Sequence, residues 1–156
     1  SDSLAPPSKC PPTDAYNADF LMSYLAKRLA LVQARNQPLS VAMFYVPSVS
    51  GIRERFGVAA EGHFLSQIGH WIGGLLRAED LCAYLGNNEF CVALPDTPIG
   101  EAQIVMQRIA GVLSHTDFAV PDVYEVVRAW VQVGGDETGP YDTPDSIVRR
   151  ARRMLG

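Results

Sequence analysis

Residues 77–94 read RAEDLCAYLGNNEFCVAL. Leu81, Ala83 and Leu85 alternate with Cys82 and Tyr84, and Phe90, Val92 and Leu94 alternate with Cys91 and Ala93. The two runs meet at Gly86-Asn87-Asn88. Gly and Asn tolerate the positive φ that a tight hairpin turn needs, so the stretch predicts two paired antiparallel strands. A charged cluster, Arg77-Ala78-Glu79-Asp80, stands just before the first strand.

Upstream, Phe64, Ile68, Trp71, Ile72 and Leu75 fall at helical spacing and predict a helix over 60–77. Residues 49–56 suit a shorter helix, with Ser48 as its cap. Before them, LSVAMFYV at 39–46 is a continuous apolar run of strand length. That pattern predicts a central strand buried on both faces. Leu21, Tyr24, Leu25, Leu29 and Val32 mark a first helix over 17–36, which Pro38 closes.

Downstream, Pro95-Asp96-Thr97-Pro98 breaks the chain, and a helix over 99–114 buries Ala102, Val105, Ile109 and Val112. Residues 116–121 read as a short strand, 124–133 as a β-rich run and 134–142 as a loop. The loop contains Gly134-Gly135-Asp136-Glu137-Thr138. A last helix starts at Thr143 or Asp145 and ends in Arg149, Arg150, Arg152 and Arg153. Helices and strands are mixed along the chain. The expected class is α+β, a central, mostly antiparallel sheet of about five strands flanked by helices.

The bulk composition excludes several functions. With 156 residues the chain supports one domain with its own core. Its first stretch, SDSLAPPSKCPP, carries four prolines without periodicity and reads as a linker over 1–12, leaving a single domain over 13–156. The chain opens on Ser1, as expected of a piece excised from a larger protein. A formal charge of −4 argues against nucleic acid as a partner, since that needs a broad cationic surface. No apolar run approaches the roughly 18 residues that cross a bilayer, so no membrane insertion is expected. Cys10, Cys82 and Cys91 form no CxxC and read as free thiols. His63 and His70 share a helix side without a third ligand, so no metal site is expected there.

With these elements placed, residues 13–155 resemble the GGDEF (diguanylate cyclase) family. SVSGIRERFG at 48–57 is similar to the helix after the family's first strand. Leu85-Gly86-Asn87-Asn88-Glu89-Phe90 stands where the signature belongs, and Pro95-Asp96-Thr97 follows in register. Arg150-Ala151-Arg152-Arg153-Met154-Leu155 resembles the family's closing Arg-Ala-Asp-x-Ala-Leu. The resemblance implies a cyclase-like fold in bacterial signal transduction. In active members, two GTP-loaded domains meet and make cyclic di-GMP with Mg²⁺ held by carboxylates.

Against that pattern the signature here, Gly86-Asn87-Asn88-Glu89-Phe90, is degenerate. The family's Asp-x-Asp is Tyr45-Val46-Pro47, its lysine is Ser50, and its guanine-reading pair is Arg53 and Gly62. Losing one preorganised electrostatic group typically costs on the order of 10²–10³ in rate. The expectation is therefore a domain that is not an enzyme, with no catalytic residues, no Mg²⁺ and no other cofactor. The structural alternative for Asn88 and Glu89 is a hairpin turn kept for folding.

The family's inhibitory site, an Arg-x-x-Asp before the signature, corresponds to Arg77 and Asp80, and Arg108 matches an arginine often added on the following helix. Arginine offers a planar fork to phosphate or to guanine O6 and N7, and a carboxylate accepts from guanine N1–H and N2–H. The resemblance thus implies a cyclic di-GMP receptor at Arg77, Asp80 and Arg108, cytoplasmic, with other signalling domains or proteins and a second copy as partners. The alternative is a nucleotide-independent interaction or dimerisation module, with Arg77 and Asp80 forming a plain helix-end ion pair.

Overall fold

The apolar run at 39–46 lies at the centre of a computed structural model that describes residues 8–156. The elements follow as α1 (Ala18–Arg35), β1 (Leu39–Tyr45), α2 (Ser48–Phe56), α3 (Val58–Gly74), β2 (Leu81–Gly86), β3 (Glu89–Pro95), α4 (Ile99–Ser114), β4 (Asp117–Ala119), β5 (Val126–Arg128), β6 (Gln132–Glu137) and α5 (Pro144–Arg153). The central sheet has four strands in the order β2-β3-β1-β6, and β4 pairs with β5 alone. The ladders between these strands are antiparallel. The α+β class is as expected, with four central strands rather than five.

β1 is buried on both faces because its side chains alternate between two cores. Ala42 and Phe44 join Phe90, Val92, Ile68, Ile72 and Ile109 under α2, α3 and α4. Val41 and Met43 join Leu21, Leu25, Ala93, Ile147 and Val148 under α1 and α5. The register pairs Cys82 with Val92 and Ala83 with Cys91. That offset of one residue sends the two thiols to opposite faces of the sheet. Cys10, Cys82 and Cys91 are all free, and burial pushes the thiols of Cys82 and Cys91 well up.

The segment expected as a loop at 134–142 begins as a strand. Gly134 and Gly135 lie opposite Met43 and Ala42. A Cβ on Gly134 would stand 2.3 Å from the backbone carbon of Met154, and one on Gly135 would stand 2.7 Å from the Val41 carbonyl oxygen. These two positions are glycine because the end of α5 and strand β1 press against them; a turn does not require them. The Gly-Gly pair, a loop signal in sequence, here marks close backbone approach.

Residues 1–7 of the expected linker lie outside the described residues. The rest of that stretch is folded back: the Asn17 N–H donates to the Ser8 carbonyl at 2.8 Å and the Cys10 N–H to the Ala15 carbonyl at 2.9 Å. Tyr16 then straddles the outer edge of β2, donating to the Cys82 carbonyl and accepting from the Tyr84 N–H. The arm thereby satisfies backbone groups that an open sheet edge would expose.

Candidate functional site

Arg77 and Asp80 meet where α3 gives way to β2. The helix stops at its bare Gly73-Gly74 end, with the Leu75 N–H still bonded to the Trp71 carbonyl. The Asp80 carboxylate then organises the connection. It accepts from the Arg77 backbone N–H at 2.8 Å, from Nε at 3.1 and 3.2 Å, and from Nη2 at 2.8 Å. Its side chain is only 2% exposed, against 49% for Arg77. Bonding to Asp80 strengthens the guanidinium's hold on its proton.

Nη2 of Arg77 also donates to the Pro95 carbonyl at 3.0 Å and to Thr97 Oγ1 at 2.8 Å. Thr97 is buried, and its carbonyl accepts from Ser40 Oγ at 2.7 Å. Arg77 is thus anchored to the ends of β1 and β3. Thr97 was missed as a positioning residue, and the only sequence signal for it was the Pro-Asp-Thr-Pro turn. With Nε and Nη2 committed, Nη1 and the guanidinium face remain for an anion or a base.

A cavity of about 290 Å³ opens beside this pair, lined by Lys9, Asp14, Tyr16, His70, Arg77 and Asp80 among others. Lys9 Nζ sits 3.5 Å over the Tyr16 ring. Arg108 extends from α4 to the other side of the α3 end, where Nη2 donates to the Leu75 carbonyl at 3.0 Å. It does not line the cavity that Arg77 and Asp80 share. A larger cavity, about 620 Å³, lies between the ends of α1 and β6; among the described residues its walls include Gln33, Asn36, Gln37 and Glu137 and no cation. It suits an anionic ligand poorly.

At the opposite end of the sheet, Asn87 and Asn88 carry φ of 51° and 64°, the geometry of a two-residue type I′ turn. Gly86 and Glu89 pair across it, and Phe90 points into the core. Asn88 accepts from the Val46 N–H at 3.0 Å and donates through Nδ2 to Ser50 Oγ at 3.4 Å. The Glu89 carboxylate is taken by Arg152 Nε at 2.9 Å. Arg53 is exposed on α2, and Pro12 Cγ lies 3.4 Å from where a Cβ on Gly62 would be. Among the described residues no three His, Cys, Asp or Glu side chains are grouped to hold a metal ion. Because Arg152 already holds the Glu89 carboxylate, the groups at this turn do not fit Mg²⁺ as arranged.

The antiparallel sheet in the order β2-β3-β1-β6, with a tight hairpin at one end and helices packed on both faces, is a cyclase-like α+β fold. The chain belongs to the GGDEF family: the family described as "Diguanylate cyclase, GGDEF domain" matches residues 11–156. The response regulator PleD of Caulobacter vibrioides is 25% identical over 140 residues, 89% of this chain. The chain spans 31% of that relative's length. Diguanylate cyclase SiaD of Pseudomonas aeruginosa, solved with its activator SiaC, is 25% identical at a TM-score of 0.87, over 94% of this chain and 55% of that one. The DgcB GGDEF domain of Caulobacter crescentus, solved in complex with c-di-GMP, shares the fold at a TM-score of 0.88 and 16% identity, over 94% of this chain and 84% of that one.

These findings correct one expectation. The substitutions at the signature predict a chain that is not an enzyme. The matched family is that of diguanylate cyclases, and SiaD, at 25% identity, is one. A rate loss counted residue by residue assumes that nothing replaces each missing group. Among the described residues, no helix is long and apolar enough to cross a membrane.

Proposed function

We propose that this domain binds cyclic di-GMP at the corner formed by Arg77 and Asp80, with Arg108 flanking it across the end of α3, and passes that signal to a neighbouring domain or partner protein in the cytoplasm. The observation that carries the reading is the Arg77–Asp80 pairing beside a cavity, at the family's Arg-x-x-Asp position. Asp80 is spent on orienting Arg77, whose Nη1 and planar face are left for phosphate or guanine. The DgcB complex supports cyclic di-GMP as the ligand, because it shows a domain of the same fold holding that nucleotide.

Thermal unfolding with and without added nucleotide tests this. A ligand at 100 times its Kd stabilises the folded state by about 2.7 kcal/mol. Cyclic di-GMP is expected to raise the melting temperature of the chain, and Arg77→Ala is expected to abolish the rise. No shift at any concentration would remove the proposal.

A second reading, a protein-binding or dimerising module, is favoured by the surface beside α2. Val126 lines a cavity with residues of α2 and the Trp130 N–H donates to Ser48 Oγ, and both side chains are exposed, Trp130 at 65%. Exposed apolar groups gathered on one face suit a protein partner. Sedimentation with and without cyclic di-GMP separates the readings: a nucleotide-independent dimer lost in Trp130→Ser supports the second.

A further inference from the structure

The receptor reading leaves the base edge unread, because the Asp80 carboxylate is buried and already accepts from Arg77. Another carboxylate lines the same cavity. Asp14 belongs to the arm that folds along β2; it is exposed and makes no ion pair or hydrogen bond among the described residues. Across the cavity stand His70, Gly73 and Gly74 of α3. A Cβ on Gly73 or Gly74 would meet nothing within 4 Å, so the floor between the arm and the helix is open.

A second cavity of about 180 Å³, lined by His70, Trp71, Gly74 and Leu75, shares two of those walls. Small-molecule sites span roughly 300–1,000 Å³. The two cavities lie side by side, with His70 and Gly74 in the walls of both. The Arg108 guanidinium lies at the Leu75 side and Lys9 at the other, so cations flank both ends. An anionic dinucleotide with two bases fits this arrangement better than a mononucleotide.

Building on the cyclic di-GMP reading, we infer that Asp14 is the specificity-determining carboxylate of the site. One guanine enters the cavity between the arm and the end of α3, and Asp14 accepts from its N1–H and N2–H. The rest of the ligand crosses Gly74 toward Trp71 and Arg108. Adenine presents no such pair of donors on that edge, so Asp14 selects guanine.

The test is calorimetry of the chain with cyclic di-GMP and cyclic di-AMP, for the wild type, Asp14→Asn, Gly74→Leu and Arg77→Ala. A bidentate base contact discriminates by about tenfold or more. Asp14→Asn is expected to weaken cyclic di-GMP at least tenfold and to narrow its advantage over cyclic di-AMP. Gly74→Leu, whose Cβ would meet nothing within 4 Å, is expected to block both ligands. Unchanged affinity in Asp14→Asn or Gly74→Leu, with binding lost in Arg77→Ala, overturns this inference and leaves the receptor reading intact. A wild type that binds neither nucleotide overturns both.

Discussion

Arg152 closes on Glu89, with Nε 2.9 Å and Nη2 3.0 Å from the two carboxylate oxygens. The pair joins the last helix to the first residue after the hairpin turn, and Glu89 is only 13% exposed within it. Arg152→Ala leaves that carboxylate in place without its fork. The expected loss is about 1 kcal/mol, because Arg152 itself is partly solvated. A lower urea midpoint with an unchanged slope would show it.

Gly134→Ala is expected to be more damaging than its size suggests. The new methyl would sit 2.3 Å from the Met154 backbone carbon, so the end of α5 must shift. Overpacking of this kind typically costs about 1–3 kcal/mol. Denaturant unfolding measures the loss, and exchange of the α5 amides should speed up beside it.

The clasp around Arg150 gives the domain a pH dependence. Nη1 and Nη2 of Arg150 bond Asp142 at 2.9 and 2.7 Å, and Nε bonds Asp136 at 2.9 Å. Bonding to Arg150 holds the Asp142 carboxyl well below the usual carboxylate range. Its stabilisation is therefore complete above about pH 4, the ordinary carboxylate value, and is lost as pH falls from there through the lowered value. The melting temperature should drop below about pH 4 in the wild type. Asp142→Asn should start lower at neutral pH and fall less steeply. Parallel curves would contradict this.

Asp80→Asn keeps the shape of the buried side chain and removes its charge. The amide cannot accept at both positions as the carboxylate does, so Arg77 loses part of its fork. A loss of about 1–3 kcal/mol is expected, with the Arg77 side chain less ordered. Chemical denaturation gives the first quantity, and the Nε signal of Arg77 in a ¹⁵N spectrum gives the second.

The hairpin, β1 and the helices were legible because each rests on a local pattern: alternation around Asn87-Asn88, an unbroken apolar run, or helical spacing. Residues 134–137 were not legible as a strand. Gly134 and Gly135 carry no side chain to show periodicity, and their reason for being glycine, the backbone at Met154 and Val41, is far away in sequence. The same limit applies at the site. Arg-x-x-Asp could be read from spacing, but the inward turn of Asp80 and its link through Thr97 depend on where β3 ends relative to α3. Asp14 could not be assigned to the same cavity until the arm was seen lying along β2.

Calorimetric titration of this chain with cyclic di-GMP tests the central claim most directly. The account predicts saturable binding tighter than about 100 μM that disappears in Arg77→Ala while the fold persists. A flat titration of the wild type, or an Arg77→Ala variant that binds as well, would contradict it.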